Sequence, residues 1–215
     1  MVLDTETADL SGNVYDIGWT ICDNKGNIFD EYNALVNETF TDPEKMMGAF
    51  YANKLFTHYA PMLFNQDIEM RNWIDVLADM NNAIEDWEVT CIAAYNAGFD
   101  FRVMGNTHKN LGYTGKVLSH KVKTLDIWQF ACETKLKTRT YKKIAQEQGW
   151  VSSKGNLKSG AEFAYRFCSG DFGFIEDHTA LSDARIETEI LAACLATRRK
   201  IPYGKINGSP WRIIQ

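Results

Sequence analysis

The chain has 215 residues, of which 45% are hydrophobic and 24% are charged, and its formal net charge is −5. This length and composition predict one domain with a single core, and they exclude a disordered, collagen-like or coiled-coil protein. The apolar runs are far shorter than a membrane span and the first residues lack a secretory signal, so we expect a soluble, cytoplasmic protein without a membrane partner.

Three strands are predicted in the first part of the chain. Residues 1–5, 16–23 and 28–36 have the apolar and β-branched composition of strands, and residues 24–27 (Asn-Lys-Gly-Asn) are a strong hairpin signal between the second strand and the third. The polar segment 39–66, which contains two prolines, predicts a short helix and loops.

Further along, helices alternate with two more strands, which are predicted at residues 91–95 and 122–125. The helices are expected, in chain order, at 67–84, 99–111, 126–133, 138–148, 161–168 and 182–199. This order predicts an α/β fold with a mixed five-stranded sheet flanked by helices. We assign residues 1–200 to this domain and residues 201–215, with their prolines and glycines, to an irregular tail.

The charges are distributed unevenly along the chain. Residues 101–158 contain 12 basic residues and three acidic ones, a local charge of +9, so the remainder carries −14. A basic middle in an acidic chain suits a protein that binds a polyanion along one surface and keeps its carboxylates for another task. A series of solvated helix faces explains the same distribution equally well.

Asp4 and Glu6 are two residues apart on the first predicted strand, so their side chains project from the same face. Two neighbouring carboxylates at the start of a core strand are costly unless a cation neutralises them, and a divalent metal is the usual cation. A solvated sheet edge is the alternative explanation of this pair.

Two further segments place functional side chains at element boundaries. Asp100 follows the strand 91–95 at the start of a helix, which is where α/β sheets collect ligands, although a helix N-terminus also favours a carboxylate without any ligand. The segment from His178 to Asp183 precedes the final helix, where Ser182 or Asp183 would also serve as an N-cap and His178 as an ordinary surface residue.

Taken together, these three segments resemble the motifs of the DnaQ-like (DEDDh) 3′→5′ exonuclease family. Asp4-Thr5-Glu6-Thr7, followed by Leu10, is similar to the first motif, Asn96-Ala97-Gly98-Phe99-Asp100 to the second, and the segment from His178 to Asp183 to the third. The segments Tyr15-Asp16-Ile17-Gly18 and Thr124-Leu125 resemble connecting elements of the family. The resemblance spans roughly residues 1–197.

The chain also departs from the family pattern. Ala8-Asp9 stand where the family often has Thr-Gly, and the segment 39–66 matches no part of the pattern. Thr179 stands where the sister DEDDy group has a tyrosine, which favours the histidine type.

The resemblance implies an RNase H-like fold and a two-metal mechanism. Asp4, Glu6, Asp100 and Asp183 would hold two Mg²⁺ or Mn²⁺ ions, and His178 would act as the general base. The implied activity removes 5′-mononucleotides from the 3′ end of single-stranded nucleic acid, with DNA favoured over RNA.

The expected substrate contacts come from the motifs and from the basic stretch. The residues are Thr7, Leu10, Asn96, Phe99, Phe101, Lys142 and Lys143. The expected partner is nucleic acid with a free 3′ end, and the protein partners considered are a second copy of the chain and a polymerase or other replication protein. The alternatives left open are a 3′→5′ exoribonuclease, an RNase H-type endonuclease, and a protein of the same fold that binds nucleic acid or a partner without cutting.

Overall fold

The computed structural model describes residues 1–118 and 122–215, and six strands within them form one mixed sheet. The strands are β1 (Val2–Asp9), β2 (Gly12–Cys22), β3 (Ile28–Val36), β4 (Glu69–Arg71), β5 (Cys91–Ala94) and β6 (Lys123–Asp126). Their order across the sheet is β4-β3-β2-β1-β5-β6. The pairs β1–β2 and β2–β3 are antiparallel, whereas β3–β4, β1–β5 and β5–β6 are parallel.

Helices cover both faces of this sheet. They are α1 (Asn37–Phe40), α2 (Pro43–Met47), α3 (Ala60–Asn65), α4 (Trp73–Asp86), α5 (Ala97–Asn110), α6 (Ile127–Ala131), α7 (Arg139–Glu147), α8 (Ala161–Ser169) and α9 (Ala180–Leu195). A π-helical turn, Leu55–Tyr59, leads into α3, and a second, Cys132–Leu136, continues α6. Within the described residues, no helix is both long and apolar enough to span a bilayer.

The predicted fold class is confirmed, but the predicted number of five strands is wrong. The sixth strand, β4, has only three residues and pairs with the edge strand β3. It occupies positions at which we predicted the start of a helix, and that helix, α4, begins at Trp73 instead. A strand of three residues is too short to show a two-residue period, so the sequence pattern did not reveal it.

The central strands present their alternate residues to two separate layers. Leu3, Ile17 and Trp19 belong to the core that α4 and α5 cover. The opposite face, which α9 covers, receives residues that are paired directly across β1 and β2, namely Val2 with Thr20, Asp4 with Gly18, and Glu6 with Asp16. Because the strand period is two, both candidate carboxylates of β1 point toward α9.

Helix α9 begins in close contact with the backbone of β2 at Gly18. A Cβ atom on Gly18 would lie 2.4 Å from the backbone nitrogen of Leu181 and 2.6 Å from its Cα, so no other residue fits at this position without a shift of α9. The helix is further joined to β2 by a hydrogen bond of 2.6 Å between the hydroxyls of Thr20 and Thr188. These contacts bring the first turn of α9 over the carboxylates of β1.

The last residues of the chain lie on the domain. They include a 3₁₀ turn, Pro210–Ile213, and the buried side chain of Ile214. The side-chain oxygen of Gln215 accepts a hydrogen bond of 2.9 Å from the backbone nitrogen of Leu157. At the β6 edge of the sheet, the backbone nitrogen of Gly204 donates a hydrogen bond of 2.8 Å to the carbonyl oxygen of Thr124.

Candidate active site

Two of the candidate carboxylates, Asp4 and Glu6, project from β1 on the side that α9 covers. Val2 lies opposite Ala93 in the parallel pair of β1 and β5, so Asp4 is level with the chain that leaves β5. A shift of register between Glu6 and Thr7 follows the two carboxylates immediately. Both side chains therefore lie at the edge of the sheet where β5 ends and α5 begins.

Asp100 meets these carboxylates from the first turn of α5, where it is 2% exposed. The chain reverses between β5 and α5 at Asn96, whose φ of 72° is in the left-handed region that asparagine tolerates better than most residues. The hydroxyl of Thr5 donates a hydrogen bond of 2.8 Å to Oδ1 of Asp100. This bond holds Asp100 against β1.

Helix α9 contributes two carboxyl groups to the same region. Asp183 lies in its first turn, and Glu187 lies one turn later and is 2% exposed. The backbone nitrogen of Tyr95 donates a hydrogen bond of 3.0 Å to Oε2 of Glu187, so this carboxyl reaches the end of β5. Glu187 was not among the site residues predicted from the sequence, although its spacing of four residues from Asp183 puts both on one face of a helix.

His178 completes the cluster from the loop before α9. Its backbone has a φ of 54°, which is strained for a residue other than glycine. Its Nδ1 lies 3.6 Å from Oε2 of Glu176 and 3.9 Å from Oδ2 of Asp183. The potential ligand atoms of Glu6, His178 and Asp183 all lie within 4.8 Å of one another. The loop thus presents its imidazole directly to the carboxylates.

Burial raises the pKa of the clustered carboxyls. The pKa of Asp4 is raised well above its usual range, mainly because the side chain is buried and secondly because Glu187 repels its charge. Burial is also the largest cause for the other three, raising the pKa of Glu6 to about 8, that of Asp100 to about 7 and that of Asp183 to about 9. Ionised carboxylates at such a site are stabilised by the approach of cations.

Divalent cations fit this set of donors. The groups are carboxylate oxygens, which Mg²⁺ and Mn²⁺ prefer as ligands. Oδ1 of Asp183 is buried and has no hydrogen-bond partner among the described residues, so a strong acceptor is left for another group to contact. The donors of Asp4, Glu6, Asp100 and Asp183 are therefore chemically suited to hold such ions.

The raised pKa values predict an unusual pH dependence of stability. Without metal, the folded protein keeps a proton on Asp183 up to about pH 9, whereas the unfolded chain releases it near the ordinary value of 3.8. The contribution of this group to stability is therefore complete below about pH 3.8 and is lost progressively as the pH rises from there toward 9. Asp183→Asn, which cannot ionise, should therefore have a higher Tm than the wild type at pH 8.5.

Thermal unfolding in EDTA at pH 5 and pH 8.5 tests this expectation. The difference in Tm between Asp183→Asn and the wild type should be smaller at pH 5 than at pH 8.5, because the unfolded wild-type chain ionises above about pH 3.8 and each further pH unit then lowers the stability of the wild type. An equal difference at the two pH values would show that Asp183 is not protonated in the folded protein. Added Mn²⁺ should raise the Tm of the wild type more at pH 8.5 than at pH 5, since the ion competes with protons for the same oxygens.

An apolar cleft of about 340 Å³ opens beside the carboxylates. It is lined by residues 5–10 of β1 and the turn after it, by Phe50 and Tyr51, and by Phe99. Leu10 is 79% exposed and Phe50 is 86% exposed, so large apolar side chains are open to solvent next to the acidic cluster. Such surfaces are suited to stacking with nucleobases. Phe50 and Tyr51 were not predicted as site residues. They belong to the segment 39–66, which matches no part of the family pattern.

The predicted substrate contacts are not all at this cleft. Thr7, Leu10 and Phe99 line it, and Asn96 forms the adjacent turn before α5. Phe101 does not line the cleft and, like Phe99, packs against the core on the α4 side of the sheet. Lys142 and Lys143 lie on α7, where Nζ of Lys142 donates to the backbone oxygen of Gln215 at 3.2 Å and Lys143 pairs with Glu147 at 3.8 Å.

Comparison with known proteins gives a structural likeness to an exonuclease. No protein-family model matches the chain, and no curated protein matches it significantly. Among solved structures, the chain is similar to "Exonuclease X in complex with 5′ overhanging duplex DNA", with a TM-score of 0.50 and 17% sequence identity over 91% of this chain and 90% of that chain. This likeness concerns the fold, and the chain has the RNase H-like α/β fold with a mixed sheet between helices.

Proposed function

We propose that the protein is a metal-dependent 3′→5′ exonuclease of the DnaQ-like (DEDDh) type. The observation that carries this proposal is the convergence of three distant segments at one edge of the sheet. β1 brings Asp4 and Glu6, α5 brings Asp100, and the start of α9 brings Asp183 together with His178. Four carboxylates beside one imidazole can hold metal and move a proton, which are the requirements of phosphodiester hydrolysis.

In this proposal Asp4, Glu6, Asp100 and Asp183 would hold two Mg²⁺ or Mn²⁺ ions. When bound, the ions would supply charge stabilisation at the scissile phosphate and lower the pKa of a water molecule. The protein fixes the ligands before substrate arrives, since Asp100 is hydrogen-bonded to Thr5 and the first turn of α9 is packed on Gly18. Rigid ligands reduce the reorganisation needed during the reaction.

His178 would accept the proton of the attacking water. An imidazole can accept a proton only when it is neutral, and burial, followed by the charge of Lys54, lowers the pKa of His178 below its ordinary 6.5. The neutral form therefore prevails at physiological pH. The contact of 3.9 Å with Asp183 keeps the ring beside a proposed metal ligand, which is where an attacking water would be held.

The cleft beside the cluster supports a nucleic-acid substrate. Leu10 and Phe50 are exposed apolar side chains, and Phe99 lies on the same surface, so the bases of a terminal nucleotide can stack there while its phosphate meets the carboxylates. We favour single-stranded DNA with a free 3′ end, and 5′-mononucleotides as products. The structurally similar exonuclease has duplex DNA with an overhang bound, which agrees with a DNA substrate.

The direction of cutting is the most informative test of this function. A single-stranded DNA labelled at its 5′ end should give a ladder of products that shorten from the 3′ end in Mg²⁺ or Mn²⁺ and none in EDTA. A strand whose 3′ end is chemically blocked should resist, because a terminal 3′-hydroxyl is part of the expected substrate. The rate of cleavage of an RNA strand of the same sequence, compared with that of the DNA strand, shows whether the enzyme prefers deoxyribose or ribose.

Two results of this assay would contradict the proposal. Cleavage of a circular single strand would indicate an endonuclease of the RNase H type. The absence of any cleavage by pure, metal-loaded protein would indicate a protein that binds without cutting.

A further inference from the structure

The segment without a family match forms a support for the loop that carries His178. We call residues 51–59, which include the π-helical turn Leu55–Tyr59, the supporting segment. Three of its side chains, those of Tyr51, Lys54 and Tyr59, contact the His178 loop or its anchor in β2. The region is more than 110 residues away from His178 in sequence, so these contacts are purely tertiary.

Lys54 contacts the backbone of the loop itself. It is 7% exposed, and its ammonium donates hydrogen bonds to the carbonyl oxygens of Asp177 and His178, the second at 2.8 Å. A buried ammonium is costly unless its hydrogen bonds are made, and here two successive carbonyls accept them. Lys54 therefore binds the two peptide units on either side of the strained His178 backbone.

Tyr51 contacts the imidazole of His178 directly. The two rings are stacked, with centroids 4.8 Å apart and planes inclined by 20°. The ammonium of Lys54 lies 4.4 Å from the centroid of the Tyr51 ring. One face of the imidazole is thus covered by an aromatic ring that Lys54 in turn contacts.

Tyr59 fixes the other end of the loop through Asp16. Its hydroxyl donates to Oδ2 of Asp16 at 2.9 Å, and the same oxygen accepts a hydrogen bond of 3.0 Å from the backbone nitrogen of Ala180, the first residue of α9. Asp16 is fully buried in the sheet. The supporting segment therefore holds the loop both at His178 and at the point where it enters α9.

We propose that Lys54 is a positioning residue, whose ammonium holds the Asp177 and His178 carbonyls so that the imidazole stays between Tyr51 and Asp183. The effect of Lys54 on catalysis rests on the proposed nuclease function. Its effect on the position of the His178 imidazole does not depend on that function. Lys54 donates to backbone oxygens of the loop, so it acts on the reaction through His178. This assigns a role to the segment 39–66, for which the family pattern offers none.

Lys54→Met keeps the length of the side chain and removes the ammonium. We expect turnover to fall roughly 10–10²-fold, the usual cost of losing a group that orients a catalytic residue, with little change in KM for the oligonucleotide. In a His178→Ala background, the same substitution should have almost no further effect, because the ring that Lys54 positions is already absent. Lys45→Met is the matched control, since it removes a lysine of the same chain region that pairs with Asp42 at 3.0 Å.

The NMR signals of the histidine rings give a readout that needs no enzymatic activity. The signal of His178 is identified by its loss in His178→Ala, and its chemical shift should change in Lys54→Met but not in Lys45→Met. If the wild type has no nuclease activity, the proposed function fails while this spectrum still tests the positioning role. Lys54→Gln, whose shorter uncharged side chain cannot hold both carbonyls, should shift the same signal and serves as the second variant if Lys54→Met does not fold.

Three results would overturn the assignment. They are an unchanged His178 signal in Lys54→Met, native turnover in that variant, and a double variant whose losses multiply as if the two residues acted independently.

Discussion

Asp4→Asn is expected to lower nuclease turnover by about 10³-fold or more while the protein stays folded. The side chain lies at the centre of the cluster, where its carboxylate interacts with Glu187, Asp100, Asp183 and Glu6. Loss of a metal ligand removes several kcal/mol of charge stabilisation, and each 1.4 kcal/mol corresponds to a factor of ten in rate. Turnover of a 5′-labelled strand in Mg²⁺, measured beside the wild type, gives this factor.

Stability of the same variant separates a catalytic role from a structural one. The pKa of Asp4 is raised by burial and repulsion, so an ionised Asp4 opposes folding when no metal is bound. Asp4→Asn should therefore unfold at the same or a higher temperature than the wild type in EDTA at pH 8. Asp30→Asn, at an exposed position of β3, is the control and should leave both turnover and stability near native. Undiminished hydrolysis by Asp4→Asn would remove Asp4 from the mechanism.

His178→Ala is expected to reduce turnover about 10²–10⁴-fold, the range that general-base catalysis usually contributes. Metal and nucleic acid should still bind, because the four carboxylates and the apolar cleft are retained. The variant should therefore show its loss in kcat rather than in KM. Single-turnover rates with saturating strand measure this separation.

The pH dependence of the rate gives a second test of His178. The imidazole accepts a proton only when neutral, and its pKa lies below the ordinary 6.5, so the wild-type rate should rise with pH on the acidic side and level off before neutrality. At saturating Mg²⁺, where the carboxylates stay metal-bound across the pH range, this rising limb should be missing in His178→Ala. If His178 only packs its loop, the variant will instead lose stability and keep the wild-type profile.

Part of the site was predictable because it follows from local periodicity. The spacing of Asp4 and Glu6 places both on one face of a strand, and β1 has them there. Asp100 and Asp183 were expected at element boundaries, and they lie in the first turns of α5 and α9. The three-residue strand β4 escaped prediction because pairing with β3, rather than its own pattern, makes it a strand.

The contacts that support His178 were not predictable from local pattern. Lys54 binds backbone carbonyls, which every residue possesses, so no residue type at positions 177 and 178 signals the contact. Tyr51 and Phe50 belong to a polar segment whose tertiary neighbours are far away in sequence. The positive charge of residues 101–158 is likewise a feature of the sequence, and two of its lysines on α7, Lys142 and Lys143, contact Gln215 and Glu147 rather than the cleft.

Direct counting of bound Mn²⁺ tests the central claim most closely, because the whole account depends on carboxylates that hold divalent ions. The protein is titrated with Mn²⁺ at pH 8, and the electron paramagnetic resonance signal of free Mn²⁺ is recorded at each step. This gives the number of ions bound per chain for the wild type and for Asp4→Asn. We expect two ions on the wild type and weakened binding on Asp4→Asn, which removes one of the four proposed carboxylate ligands. A wild type that binds no Mn²⁺, or an Asp4→Asn variant that binds two ions with native affinity, would contradict the metal-dependent mechanism.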